Sequence, residues 1–88
     1  MEIVLLEQAR RDRDYWKQTG NERIMRCISS LLEDIVLHPF TGIGKPEPLR
    51  GNLRGKWSRR ITKEHRLVYT VSENCIYVYV FSLRFHYS

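Results

Sequence analysis

Ile24, Ile28, Leu31 and Ile35 recur at i, i+4, i+7 and i+11, and Met25, Leu32 and Val36 widen the same stripe. That spacing gathers apolar side chains on one face of an α-helix, which then needs a surface to be buried against. In the second half of the chain the period changes. Trp57, Arg59 and Ile61 alternate with Ser58, Arg60 and Thr62, and Leu67, Tyr69 and Val71 alternate with Arg66, Val68 and Thr70. Alternation of this kind sends successive side chains to opposite faces of a strand. An amphipathic helix followed by alternating segments predicts helices laid against one face of a sheet.

The remaining elements follow from the same logic. Glu2–Leu6 reads as a short strand. Residues 7–18 read as a helix with Ala9, Asp12, Arg13 and Trp16 on one stripe. Thr19-Gly20-Asn21 interrupts it. Thr19 or Asn21 can cap the second helix, and Thr19 with Glu22 has capping-box spacing. Pro39 ends that helix by disfavouring helical geometry at His38. Four of the five glycines and two of the three prolines fall in residues 41–55, which predicts a loop with a short extended piece near Pro48–Arg50. Strands are expected over residues 57–63, 66–72 and 75–83, the last as the central buried strand. The predicted order is β-α-α-β-β-β. The fold class is α+β, with two N-terminal helices packed on a twisted antiparallel sheet. With 88 residues, area scaling leaves about 64% of the chain's surface buried, enough for one domain over residues 1–88 and one modest core.

Charge narrows the functional classes. The net +5 is uneven: residues 1–44 hold six basic and seven acidic residues, a net of −1, and residues 45–88 hold nine and three, a net of +6. Eight of those nine cations lie between Lys45 and Arg66, opposed only by Glu47 and Glu64. Such a concentration suits a polyanionic partner, although a solvated basic face would read the same way. No apolar run approaches the roughly 20 residues that span a bilayer, so no membrane partner is expected. No secretory signal opens the chain, and Cys27 and Cys75 are too few for a disulfide framework. A reduced, cytoplasmic protein is the expectation. His38, His65 and His86 lack zinc-site spacing, so no metal ligands are assigned. Gly42-x-Gly44-Lys45 neither follows a strand nor opens a helix, unlike a phosphate-binding glycine loop.

Cleaving RNA without a metal needs a base for the 2′-hydroxyl, an acid for the leaving oxygen and cations at the phosphate. Glu47 is the only loop carboxylate among the basic residues, held between Pro46 and Pro48, and surrounding cations keep such a group ionised and able to accept a proton. A salt bridge to Lys45 or Arg50 is the structural alternative. His86, beyond the last strand, is the acid candidate, placed by alternation on the face of Val80, Ser82 and Arg84. His65, in a turn, suits a structural role. Arg60 and Arg66 are spaced to face each other across a hairpin, pointing into one groove, though paired arginines also serve solubility.

Several segments occur together in order: Lys45-Pro46-Glu47-Pro48-Leu49, Trp57-Ser58-Arg59-Arg60-Ile61-Thr62, Glu64-His65-Arg66-Leu67-Val68-Tyr69 and Arg84-Phe85-His86-Tyr87. With Asp14-Tyr15-Trp16 and residues 38–44, they make nearly the entire chain resemble the YoeB/Txe family of toxins in the RelE superfamily. The resemblance implies a microbial-ribonuclease-like fold. It implies a metal-independent, cofactor-free endoribonuclease that cuts mRNA in the ribosomal A site and inhibits translation. It also implies a homodimer and a cognate antitoxin of the YefM/Axe kind, whose C-terminal segment covers the site. On that basis Glu47 is the general base, His86 the general acid and Arg66 the residue that stabilises the phosphorane-like transition state. Lys45, Arg50, Arg60 and Tyr87 would bind phosphate or substrate. Arg50 stands where the family often has lysine, and Ser88 extends past the family's usual terminal tyrosine. The rival implication is a ParE-like toxin of the same fold that binds a gyrase-type protein target without cutting RNA. A third is a regulatory subunit whose partner, rather than this chain, reads operator DNA.

Overall fold

The computed structural model describes residues 1–85, so the expected roles of His86 and Tyr87, and the Ser88 extension, lie outside the described residues. The helical stripe behaves as its spacing predicts. Ile24, Ile28, Leu31 and Ile35 are all buried on α2 (Glu22–Leu37), with Met25 and Leu32 packed at the margin. Asn21 caps this helix by accepting from the Ile24 N–H at 3.2 Å. Thr19 does not form the capping box, because it is the last residue of α1 (Glu7–Thr19) and its hydroxyl donates to Trp16 O. On α1, Ala9, Asp12 and Trp16 are buried, whereas Arg13 turns out to solvent. The helix α2 stops at Leu37, one residue before the position that Pro39 constrains.

Five strands follow the order β1-β5-β4-β3-β2: β1 (Glu2–Leu5), β2 (Glu47–Pro48), β3 (Trp57–Arg60), β4 (Arg66–Val71) and β5 (Tyr77–Ser82). The three neighbouring pairs from β2 to β5 are antiparallel, as short turns require, but β1 lies parallel to β5 and makes the sheet mixed. The two helices carry the chain from β1 at one edge to β2 at the other, and the antiparallel strands then return until β5 lies beside β1. The middle of the sheet is β4 rather than the last strand, since β5 is covered on its far side by β1. Both helices pack on one face, against Leu67, Tyr69, Val78 and Val80.

Two local departures shorten or redirect strands. The strand β3 ends at Arg60 rather than residue 63, because the Ile61 and Thr62 N–H groups both donate to His65 O and close the hairpin. On β5, Val68 pairs with Ser82 while Tyr69 pairs with Val80, leaving Phe81 as an extra residue. That bulge inverts the alternation beyond it. Ser82 therefore shares the helix-free face with Val68, and Leu83 returns to the core. The expected common face for Val80, Ser82 and Arg84 is lost at this point.

Candidate active site

The helix-free face collects most of the candidate residues. Glu47 pairs with Ser58, Ser58 with Val68 and Val68 with Ser82, so one row crosses four strands. Directly opposed residues share a face. Two residues further along, on the same face, Arg60 opposes Arg66. Glu47 and Arg60 are thus one strand spacing of about 4.8 Å apart across the sheet and two residues of about 3.4 Å along it. Pro48 suits this short edge strand because its missing N–H removes no interior ladder bond. Leu49 then donates to Lys56 O at 2.8 Å and carries the chain onward.

The electrostatics of that face are unbalanced. Glu47, Lys45, Arg50 and Arg60 are exposed, and none of them, nor Arg66, joins an ion pair among the described residues. The expected alternative for Glu47, a bridge to Lys45 or Arg50, is therefore not formed. Arg60 and Arg66 confront each other with like charge, an unfavourable arrangement unless something offsets it. Arg66 is offset by the hairpin: its Nη1 donates to Thr62 O at 2.8 Å, Lys63 O at 3.2 Å and His65 O at 3.3 Å. Three carbonyls hold one end of the guanidinium, and among the described residues its Nε and Nη2 donate to no acceptor. Arg60 and Arg66 thus face each other across the hairpin, with Glu47 on the same sheet face. Lys45 and Arg50 lie at the ends of the loop strand that carries Glu47.

One basic residue of this region does something else. Arg59 is fully buried and its five N–H donors all find acceptors: Tyr69 Oη at 3.2 Å, Asp34 Oδ2 at 2.5 Å, and the carbonyls of Ile43, His38 and Thr41 at 3.1, 2.5 and 2.9 Å. The Asp34 carboxyl lies below its ordinary range, chiefly through its hydrogen bond from Arg59. Burial pushes the Tyr69 phenol up, and its hydroxyl donates to Pro39 O at 2.6 Å. Gly44 approaches this clasp so closely that a Cβ would stand 2.7 Å from Leu31 Cδ2, and its φ of +79° favours glycine. Gly44 O accepts from Arg60 N, so the clasp holds the loop that leads to Glu47 against the strand that carries Arg60.

The approach to the C-terminal candidates is also built by residues that composition hides. Asp12 accepts from the Leu83 N–H at 2.8 Å, and Trp16 Nε1 donates to Leu83 O at 3.0 Å. Arg84 stacks 3.5 Å above the Tyr15 ring. His65 Nδ1 accepts from the Phe85 N–H at 2.9 Å, in keeping with the structural role expected for it. These partners are far apart in the chain, and alternation alone gives no sign of them.

Two helices over a mixed five-stranded sheet, with Glu47, Arg60 and Arg66 on the uncovered side, give the fold of the small YoeB- and RelE-like bacterial toxins. A YoeB/ParE toxin from Agrobacterium tumefaciens superimposes with a TM-score of 0.94 at 42% identity, covering 99% of this chain and all of the other. Residues 6–87 match the model of the YoeB-like toxin of bacterial type II toxin-antitoxin systems, and the chain belongs to that family. Toxin YoeB of Escherichia coli (strain K12) is 45% identical over 87 residues, 99% of this chain and all of that protein. The toxin of a YoeB-YefM complex from Staphylococcus aureus aligns at 42% identity with a TM-score of 0.86, over 99% of this chain and 98% of its own, and YoeB from that organism has also been solved as a dimer.

Proposed function

We propose that this toxin is a ribosome-dependent endoribonuclease that cuts mRNA by attack of a 2′-hydroxyl on its neighbouring phosphate. Glu47 removes the hydroxyl proton as the oxygen bonds to phosphorus. Arg66 and Arg60 stabilise the negative charge that develops on the phosphoryl oxygens. The bond to the 5′-oxygen breaks as His86 supplies its proton, leaving a cyclic phosphate on one fragment and a 5′-hydroxyl on the other. Lys45, Arg50 and Tyr87 bind the flanking substrate. The supporting observation is that Glu47 lies on the same sheet face as the opposed Arg60 and Arg66, with none of the three in an ion pair among the described residues.

The partners follow from the relatives. A YefM-like antitoxin would neutralise the chain, and a second copy would pair with it, as seen for the Staphylococcus aureus protein. Action on ribosome-bound mRNA places it in the cytoplasm.

The test is primer extension on mRNA after induction, alongside a purified cleavage assay with and without ribosomes. Sharp new ends with the wild type, lost in Glu47→Ala, Arg66→Ala and His86→Gln, are expected. Intact mRNA accompanied by DNA damage would replace this reading with the gyrase-type one.

A further inference from the structure

His65 takes no part in the chemistry proposed above, yet its contacts reach Phe85, the residue that precedes His86 in the chain. Its ring stands edge-on to Trp16 at 4.9 Å and 5.8 Å from the Phe85 ring. Its Nδ1 accepts from the Phe85 N–H at 2.9 Å, and the next residue, Arg66, donates its own N–H to Phe85 O at 2.8 Å. Both backbone groups of Phe85 are thus secured by consecutive residues of β4 and its hairpin, after β5 has already ended.

Phe85 needs that restraint. Its φ of +60° is left-handed, a region a bulky non-glycine residue rarely occupies unless its surroundings impose it. Its side chain is 62% exposed, so burial of the ring is not what imposes it. The residues before it are held separately, Leu83 by Asp12 and Trp16 and Arg84 by Tyr15. The Arg84 guanidinium lies 4.7 Å from the Phe85 ring centroid, and among the described residues His65 supplies the side-chain hydrogen bond to the backbone of residue 85.

We propose that His65 is a positioning residue for catalysis: its Nδ1, acting as an acceptor, locks the Phe85 peptide and so sets the direction in which the chain delivers His86. This rests on the reading of His86 as general acid. It also sets opposite demands on two histidines. His65 must keep Nδ1 free of a proton, with the neutral ring's proton on Nε2, because a protonated ring would turn a donor toward the Phe85 donor. His86 must carry a proton to give away.

The acceptor's location within the side chain makes the test selective. Asparagine places its Oδ1 near the position of Nδ1, whereas glutamine extends its polar group toward that of Nε2. In full-length toxin assayed on ribosome-bound mRNA, His65→Gln and His65→Ala are expected to lower kcat by about 10- to 100-fold with KM little changed. His65→Asn is expected to recover most of the rate. Equal loss in all three, or wild-type kcat in His65→Gln, would overturn the proposal. Amide exchange on the wild-type chain gives a second reading that needs no variant to fold: a protected Phe85 N–H supports the lock, and one exchanging like an exposed amide refutes it. If His86→Gln cleaves normally, the general-acid reading fails, while the Phe85 exchange still reports whether the lock exists.

Discussion

Arg59 illustrates why a residue's role depends on partners distant in the chain. Counted along the sequence, it is one more cation in a basic stretch. In the fold it is fully buried, and all five of its donors are used. A buried guanidinium is tolerated only when each donor is matched and the charge is opposed. Arg59→Ala leaves four carbonyl and carboxylate acceptors without their donor and is expected to cost about 3–5 kcal/mol, read as a fall in thermal midpoint. Arg59→Lys should restore little of it, because three donors on one nitrogen cannot reproduce the fork. The same cluster sets a pH response. The Asp34 carboxyl lies below its ordinary value of 3.8 in the folded chain, so its stabilisation is complete above that value and is lost as pH falls through the lower folded-state one. The Tyr69 phenol lies above its ordinary 10.0, so its contribution is complete below that value and is lost as pH rises through the higher one. Thermal midpoints measured across pH should fall at both ends, and Asp34→Asn should start lower at neutral pH and flatten the acid limb. Glu47 was legible in the sequence because two prolines and a run of cations isolate it locally. Arg59 was not, because Asp34 lies 25 positions away and three of its acceptors are backbone carbonyls, which every residue possesses.

At the scale of elements, α2 was readable because its stripe repeats over 16 residues and nothing interrupts the period. The strand β5 was readable as a strand but not in its facing, since one extra residue at Phe81 inverts everything after it. Its parallel pairing with β1 was also hidden, because it depends on both helices crossing the sheet. The consequence falls on the chain's last described turn, where α1 grips Leu83 through both backbone groups. Trp16→Phe keeps the ring's bulk and removes the Nε1 donor, leaving the Leu83 carbonyl unsatisfied in a buried setting. A loss of about 1–3 kcal/mol is expected by denaturant titration. Because the same carbonyl lies just before Arg84 and Phe85, mRNA cleavage should decline more steeply than stability alone requires. Activity measured at a temperature where the variant is fully folded separates the two. Full activity there would confine Trp16 to a stabilising part.

For the whole molecule, the division into a near-neutral half and a basic half has a structural counterpart. The helices cover one sheet face, and Glu47, Arg60 and Arg66 occupy the other. Arg59 belongs to the basic half by position but is neutralised by Asp34 from α2. The field at the open face therefore comes from the other cations, with Lys45, Arg50, Arg54, Arg60 and Lys63 exposed. Each phosphate that such a cation neutralises releases counterions, so affinity for single-stranded RNA should fall with salt, by about 0.7 in log–log slope per contact. Arg60→Gln should reduce that slope by about 0.7 and weaken binding similarly for every sequence, whereas Arg59→Lys, in a folded sample, should leave the slope unchanged. The measurement is a salt titration of binding to an oligoribonucleotide made uncleavable by 2′-O-methylation. Equal slopes for the wild type and Arg60→Gln would remove Arg60 from the phosphate path and leave Arg66, anchored by its three carbonyls, as the cation there.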